Sequence, residues 1–224
     1  MTRTPEQVIA HLRGRPWMQT MAGHAVPLVD TEPGDIHWID IIQGLAYGVR
    51  YAGHAKTYSI AQHSLLVTKH MPKGMEWYGL LHDAHEAYIG DITTPAQRAL
   101  VAHADIFHEG MGDVVEDGFR ELKGTLDRAI FLAAGLEYPM PPEVRGVVKE
   151  VDKRVMLTEV RDLMSTPPAP WGFDLEPYPE KIVAWSPENA MYLFERAITN
   201  MLRLTLYKMS NMSTVNDLQT HAPN

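Results

Sequence analysis

Residues 80–91 read Leu80-Leu81-His82-Asp83-Ala84-His85-Glu86-Ala87-Tyr88-Ile89-Gly90-Asp91. Apolar residues recur in this stretch at helical spacing, and imidazole and carboxylate groups are crowded between them. Burying such groups costs free energy unless a partner compensates their charge, and a divalent cation suits both residue types. The stretch therefore predicts a helix, in a mainly helical protein, that carries metal ligands.

Helical geometry relates three of these residues to one another. His82 and Glu86 are four positions apart and Asp83 and Glu86 are three apart, so each pair shares a face. His82 and Asp83 point in directions about 100° apart around a helix. Both can therefore reach one ion only if it lies between them and other elements supply further ligands. The preceding helix offers His63, and a later helix offers Asp152 beside an apolar stripe.

Two of the carboxylates have structural alternatives that the sequence leaves open. Asp152 is close enough in sequence to pair with Lys149 or Lys153 at the surface. Asp91 stands shortly before Thr94, where a new helix is expected, and could cap that turn instead. In the functional interpretation, Glu86 and Asp91 either bind a second ion or serve as general base and water-orienting group beside the first.

Other residues are candidates for binding a phosphorylated substrate. Arginine grips phosphate with two parallel hydrogen bonds, lysine acts as a point charge, and an aromatic ring stacks on a base. The alternatives are a solvated surface charge for each cation and core packing for the aromatic residue. The candidates are Arg50, Lys56, Lys149, Tyr51 and, at the expected mouth of the pocket, His85.

Composition excludes several classes of protein. The chain has 224 residues, a net charge of −8 and no cysteine. Thiol nucleophiles, cysteine-ligated zinc and disulfides are therefore excluded, and stable nucleic-acid binding through a broad basic face is not expected. The sequence shows neither an apolar run long enough to cross a membrane nor the apolar core of a signal peptide at its start, so we expect a cytoplasmic protein.

The positions of proline, glycine and capping residues, which start and end helices, predict one all-α domain with a possible short hairpin around Gly23. Residues 1–34 are expected to form an N-terminal helix and an irregular or hairpin segment, and residues 35–208 the main helical domain. We expect single helices from Asp35 toward Gly53 and over 75–89, and a last helix ending near Leu206. Residues 209–224 are polar and are expected to form a disordered tail.

The order His63, His82-Asp83 and Asp152 resembles the HD-domain superfamily of metal-dependent phosphohydrolases, over residues ~36–164. Residues 62–64 and 82–95 resemble more closely the branch that contains the YfbR-type 5'-deoxynucleotidases and the phage-encoded DatZ-type dATP triphosphohydrolases. His85 departs from the resemblance, since many members have a small residue there.

The resemblance implies a compact HD-domain helical bundle in which these four side chains hold one catalytic divalent ion, Co, Mn, Zn or Mg. It implies that Glu86 is the acid/base and that Asp91 orients water or joins a second ion near Glu86. Arg50 and Tyr51 would contact phosphate and nucleoside, and Lys149 also fits the branch. Relatives are often multimeric, so a homo-oligomer is expected.

The expected substrate is a small deoxynucleotide cleaved at its 5'-phosphoester. We favour a deoxynucleoside triphosphate, especially dATP, which would give deoxynucleoside and triphosphate. The alternatives are a deoxynucleoside 5'-monophosphatase, a non-catalytic nucleotide-binding or protein-binding HD module and a cyclic-nucleotide phosphodiesterase. A phage-encoded protein would act in the host cytoplasm.

Overall fold

The computed structural model describes residues 4–220, which are mostly helical with one two-stranded antiparallel sheet. The predicted all-α fold with a short hairpin is therefore confirmed. Two 3-10 turns lie at Pro33–Asp35 and Arg50–Gly53. The strands are β1 (Trp17–Gln19) and β2 (Ala25–Pro27), and the helices are α1 (Pro5–Leu12), α2 (Trp38–Tyr47), α3 (Ile60–His70), α4 (Glu76–Leu81), α5 (Glu86–Ile89), α6 (Thr94–Phe107), α7 (Met111–Ala133), α8 (Pro142–Leu163) and α9 (Pro187–Thr220).

The N-terminal segment follows the sequence prediction. Thr4 caps α1 through its side chain, and Gln7 completes the capping box. In the hairpin, Met18 pairs with Val26. Gly23 lies in the turn with φ 87°, a conformation that glycine adopts without steric cost.

A single main core joins α2, α3, α4, α5, α7 and α9. Its members are almost completely shielded from solvent and include Ile41, Leu45, Ile60, Leu80, Leu81, Leu126, Ile130, Phe194, Ile198 and Met201. A second cluster packs the valine stripe of α8 against α3 through Val67, Met71, Val144, Val148, Val151 and Val155. This second contact brings Asp152 of α8 toward His63 of α3.

The helix predicted over residues 75–89 is interrupted. α4 ends at Leu81 and α5 begins at Glu86, with residues 82–85 in tight turns between them. Backbone hydrogen bonds here join residues three apart, such as Ala84 N to Leu81 O (3.0 Å) and Glu86 N to Asp83 O (3.0 Å). Because the i to i+4 ladder is replaced, the prediction of one continuous helix is wrong at the residues that carry the chemistry.

The segment after α2 also differs from the prediction. α2 ends at Tyr47 rather than near Gly53, and His37, not Asp35, stands at its N-terminus. Asp35 instead accepts a hydrogen bond from Glu32 N within the preceding 3-10 turn. The chain after α2 forms an irregular loop that a bridge between Val49 and Ser59 closes.

The last helix is longer than predicted. The backbone of α9 continues to Thr220, beyond the expected end near Leu206, because no proline or glycine interrupts residues 207–220. The predicted disordered tail, 209–224, therefore begins within this helix, and residues 221–224 lie outside the described residues. No helix within residues 4–220 combines the length and the apolar character needed to cross a membrane.

Candidate metal centre

His63 lies in the first turn of α3 and is completely buried. The helix starts here because the Ser59 side chain accepts a hydrogen bond from Gln62 N. The two ring nitrogens of His63 have different neighbours. Nδ1 lies 2.6 Å from Glu159 Oε1, whereas Nε2 lies 3.3 Å from His82 Nε2. The second nitrogen therefore faces other potential metal ligands.

His82 and Asp83 come from the turn between α4 and α5. His82 Nδ1 lies 2.8 Å from Gly79 O and donates to it, so Nε2 is the nitrogen that can bind a metal once it has lost its proton. That Nε2 lies 3.1 Å from Asp83 Oδ2. The tight turn thus directs two consecutive side chains to one point, which a regular helix would have separated by about 100°.

Asp152 reaches the same point from α8. Its Oδ1 lies 3.2 Å from His63 Nε2 and 3.8 Å from His82 Nε2, and its side chain is 35% exposed. His63, His82 and Asp83 form a group that could hold a metal ion. Ligand atoms about 2.1 Å from a shared ion are about 3.0–3.5 Å apart, which is close to the separations observed here.

The charges of this group are strongly linked. Burial by itself lowers the pKa of His82, but the Asp83 and Asp152 carboxylates outweigh it and hold that pKa well above its usual range. Burial raises the pKa of Asp83, but His82 and His63 outweigh it and hold that pKa well below its usual range. The metal-free centre therefore favours ionised carboxylates, which can bind cations, and protonated imidazoles, which would have to release a proton when a metal binds.

Glu159 is a residue of this centre that the sequence analysis missed. It is completely buried on α8 and accepts hydrogen bonds from the hydroxyls of Tyr58 (2.8 Å) and Tyr51 in addition to its contact with His63. Burial alone would raise the pKa of Glu159, but the positive charges of Arg50 and His63 have the larger effect and lower it to about 2. Its position seven residues after Asp152, on the same helix face, was the available signal.

Arg50 is buried and already has two acidic neighbours. Its Nη1 lies 3.3 Å from Asp83 Oδ2, and its Nε forms an ion pair with Glu159 Oε2 at 3.3 Å. The predicted phosphate-binding arginine therefore lies beside the metal centre with part of its guanidinium engaged. Its predicted contact with phosphate stays a prediction.

A hydrogen bond joins the backbone of Tyr51 to the side chain of Asp91. Tyr51 has a left-handed backbone (φ 58°), and its N–H donates to Asp91 Oδ2 at 2.9 Å. Asp91 does not cap α6, because Thr93 does so through its side chain. The Tyr51 ring contacts Trp171 edge-on at 6.3 Å between centroids, on the side of the loop that follows α8.

Glu86 lies close to Asp83 and His85, and the three form a second group that could hold an ion. Its Oε2 is buried and has no hydrogen-bond partner among the described residues. Burial, Asp83 and Asp91 raise the pKa of Glu86 to about 9. An acid with this environment and a free oxygen is suited to proton transfer.

His85 is buried, and its Nδ1 lies 2.8 Å from Asp127 Oδ1 of α7. The side chains of Lys56 and Lys149 are exposed, and neither makes a hydrogen bond or ion pair with any described residue. The structure thus places both lysines on the surface, and the suggested pairing of Lys149 with Asp152 does not form. Their predicted contact with substrate remains a prediction.

No protein-family model matches the chain. The chain is 32% identical over 148 residues to an uncharacterized protein of Rhodobacter capsulatus, a match that covers 62% of this chain and 68% of that protein. It belongs to the family of that protein. It is also 32% identical over 130 residues to the uncharacterized protein YfdR of Escherichia coli, covering 58% of this chain and 62% of YfdR.

The names of these two relatives state no activity. The chemistry of the chain must therefore be argued from its own residues. Four potential ligands converge from three parts of the fold. The buried carboxylate of Glu159 orients one of them, His63, and the acid Glu86 lies beside them.

Proposed function

We propose that the protein is an HD-type, metal-dependent phosphohydrolase that cleaves the 5'-phosphoester of deoxynucleotides. The observation that supports this proposal best is the convergence of His63, His82, Asp83 and Asp152 beside Glu86. His63 Nε2 and His82 Nε2 face each other, and they lie 3.2 Å from Asp152 Oδ1 and 3.1 Å from Asp83 Oδ2, respectively. A cation is the partner that compensates both carboxylates and accepts both nitrogen lone pairs.

The donor set fits a divalent ion in a further respect. Both histidines have Nδ1 next to a protein acceptor, Glu159 for His63 and Gly79 O for His82. Such contacts fix the tautomer in which Nε2 can bind a metal. When bound, a divalent cation supplies a Lewis acid for a phosphoryl oxygen and lowers the pKa of a water molecule.

Glu86 is the proposed acid/base. Its raised pKa keeps the carboxyl protonated at neutral pH, and positive charge at the neighbouring ligand cluster lowers that pKa toward the working range of a proton-transfer group. The free Oε2 can then deliver a proton to the 5'-oxygen of the leaving deoxynucleoside. Asp91 is proposed to position the Tyr51 backbone and, together with Glu86, to form the site of a second ion.

The proposed substrate is a deoxynucleoside triphosphate, with dATP as the favoured member. Arg50 contributes a buried positive charge next to Asp83, where a substrate phosphate would meet the ligand cluster. Deoxynucleoside 5'-monophosphates present the same phosphoester bond, and hydrolysis at that bond would release deoxynucleoside and phosphate instead. The two substrates differ in the products that they give, so product analysis separates them.

The decisive experiment is a screen of the metal-free protein supplied in turn with Co, Mn, Zn or Mg. We expect chromatography of the reaction with dATP to show deoxyadenosine and triphosphate. Phosphate released from dAMP alone would replace the triphosphate proposal by a 5'-nucleotidase. Cleavage of cyclic nucleotides alone would instead identify a phosphodiesterase.

A matched pair of variants controls the screen. Asp152→Asn should abolish hydrolysis, whereas Glu150→Gln, an exposed carboxylate on the same helix, should retain it. If the parent and Glu86→Gln both bind nucleotide and neither hydrolyses any, the protein is a binding module and the enzymatic proposal fails.

A further inference from the structure

The loop between α8 and α9 folds back along α8 toward the metal centre. Near its middle, the Phe173 ring lies with its centroid 5.5 Å from the Nζ of Lys153, the residue that follows Asp152. Further along the loop, Ile182 N donates to Asp162 Oδ2 at 2.7 Å, close to the end of α8. The loop therefore runs out to the level of Asp152, where Phe173 lies, and then returns along the helix.

Trp171, two residues before Phe173, contacts the segment that borders the metal centre. Its ring centroid lies 6.3 Å from that of Tyr51. The Tyr51 hydroxyl donates to Glu159, and Arg50 Cζ lies 5.3 Å from the centroid of the Tyr51 ring. Tyr51 therefore connects Trp171 to the arginine that pairs with the potential metal ligand Asp83.

The indole of Trp171 has a surface available for a ligand. The planes of the two rings lie 73° apart, so the contact with Tyr51 occupies at most one face of the indole. Trp171 is 39% exposed, and so is Phe173. Three prolines, at positions 167, 168 and 170, precede Trp171 and restrict the backbone of the loop, so little entropy is lost when this surface binds a ligand. A flat aromatic surface of this kind suits a nucleobase, because every base has a π-face.

We propose that Trp171 is the residue on which the nucleobase of the substrate stacks, and that it favours purine over pyrimidine deoxynucleotides. The assignment rests on the proposed function, in which a substrate phosphate meets Arg50 beside the metal centre. Arg50 and Trp171 both lie against the Tyr51 ring, so one nucleotide is long enough to reach from the guanidinium to the indole. Stacking does not read the hydrogen-bonding edge of a base, and a purine offers the larger face. The indole therefore separates bases by size and does not distinguish adenine from guanine.

Nucleotide binding to the full chain tests the assignment without depending on hydrolysis. Glu86→Gln, loaded with a divalent metal, serves as the background so that the probe is not consumed. The probes are dATP, dGTP, dCTP and inorganic triphosphate, which has the phosphates of a nucleotide without the base. Calorimetry gives the affinities, and quenching of tryptophan fluorescence by the stacked base gives a local signal. We expect dATP and dGTP to bind with similar affinity, both more tightly than dCTP and about tenfold more tightly than triphosphate.

Variants of the tryptophan locate the contact. Trp171→Ala should lose the quenching by dATP and about tenfold in dATP affinity, while its affinity for inorganic triphosphate is unchanged. Trp171→Phe, which keeps a flat ring, should retain most of the affinity for dATP. The matched control is Trp17→Ala, a tryptophan of β1 that is 48% exposed, which should keep both the affinity and the quenching.

Several results would overturn the assignment. They are unchanged dATP affinity in Trp171→Ala, a parallel loss of triphosphate affinity in that variant, and equal affinity for dATP and dCTP. If the chain with Glu86 also hydrolyses dATP, such results leave the proposed function in place. If that chain hydrolyses no nucleotide while dATP still quenches Trp171, the assignment of the base contact stands and the enzymatic proposal fails. Absence of nucleotide binding would overturn both.

Discussion

Glu159 Oε1 lies 2.6 Å from His63 Nδ1, and both side chains are completely shielded from solvent. The contact fixes the imidazole so that Nε2 faces His82 and Asp152. Arg50, which pairs with the other oxygen of the same carboxylate, also contacts Asp83. One buried carboxylate therefore orients a ligand directly and is linked to a second ligand through an arginine.

Replacing Glu159 by glutamine should weaken metal binding without removing a ligand. The amide keeps the shape of the side chain but loses the charge that polarises His63 and pairs with Arg50. We expect metal affinity to fall about 10–100-fold and the free energy of unfolding to fall by about 3 kcal/mol. Competition with a chromophoric chelator measures the first effect, and urea unfolding measures the second. Unchanged metal affinity would contradict the positioning role of Glu159.

Metal addition should stabilise the folded protein. Ligands that converge from α3, the α4–α5 turn and α8 exist as one site only in the fold, so binding at 100 times Kd should add about 2.7 kcal/mol. Thermal unfolding with and without chelator measures this gain. The gain should disappear in Asp152→Asn and persist in Glu150→Gln. An equal gain in both variants would place the ion elsewhere.

The resemblance to a known family implied which four side chains the fold brings together, whereas their residue types and their place beside apolar helical stripes made them only candidates. The sequence could not predict how they converge. The turn at residues 82–85 depends on hydrogen bonds between residues three apart, which helical periodicity does not distinguish from a continuous helix. Metal binding itself remains a prediction.

Two other features depend on tertiary contacts that local patterns do not encode. Glu159 shares a helix face with Asp152 in the sequence, but only the packing of α8 on α3 buries it next to His63. Asp91 looks like a helix cap, yet its partner is the N–H of Tyr51, 40 residues earlier. The left-handed backbone of Tyr51 that makes this possible is uncommon for a residue other than glycine.

Glu86→Gln should remove hydrolysis while leaving one equivalent of metal bound by His63, His82, Asp83 and Asp152. Loss of a positioned acid/base costs about 10²–10⁴-fold in rate. A steady-state assay beside a metal-binding measurement separates the two effects. Retained hydrolysis, or loss of that first equivalent of metal in parallel with activity, would show that Glu86 is not the proton-transfer group.

The raised pKa of Glu86 predicts that the stability of the metal-free protein depends on pH, and the same variant tests this. The pKa of Glu86 is raised from 4.5 to about 9, so the folded state binds a proton that the unfolded state releases above pH 4.5. The parent therefore loses stability as pH rises from 4.5 toward 9, relative to Glu86→Gln. Urea unfolding should be measured at both ends of this pH window. The free energy of unfolding of Glu86→Gln, relative to that of the parent, should be larger at the higher pH. A constant difference would mean that Glu86 ionises normally.

Asp91→Ala should loosen the segment that carries Arg50 and Tyr51. The change leaves the partly buried Tyr51 N–H without its acceptor, which should lower the free energy of unfolding by about 1–3 kcal/mol. If Asp91 acts by positioning, KM for nucleotide should rise while affinity for a single equivalent of metal is retained. Loss of that first equivalent would instead make Asp91 a ligand of the main site.

Ala52→Gly should stabilise the protein. Ala52 is exposed and has φ 52°. A left-handed conformation costs a residue with a Cβ about 1–2 kcal/mol, and glycine avoids this cost. Glycine also raises the entropy of the unfolded chain, which opposes folding, but the relief of strain exceeds this effect by up to about 1 kcal/mol. The matched control is Ala102→Gly at an exposed position inside α6, where the same substitution should destabilise by about 1 kcal/mol. Urea unfolding of the two variants should thus give changes of opposite sign. Destabilisation by both would show that the backbone of the loop carrying Arg50 is not held in the left-handed region.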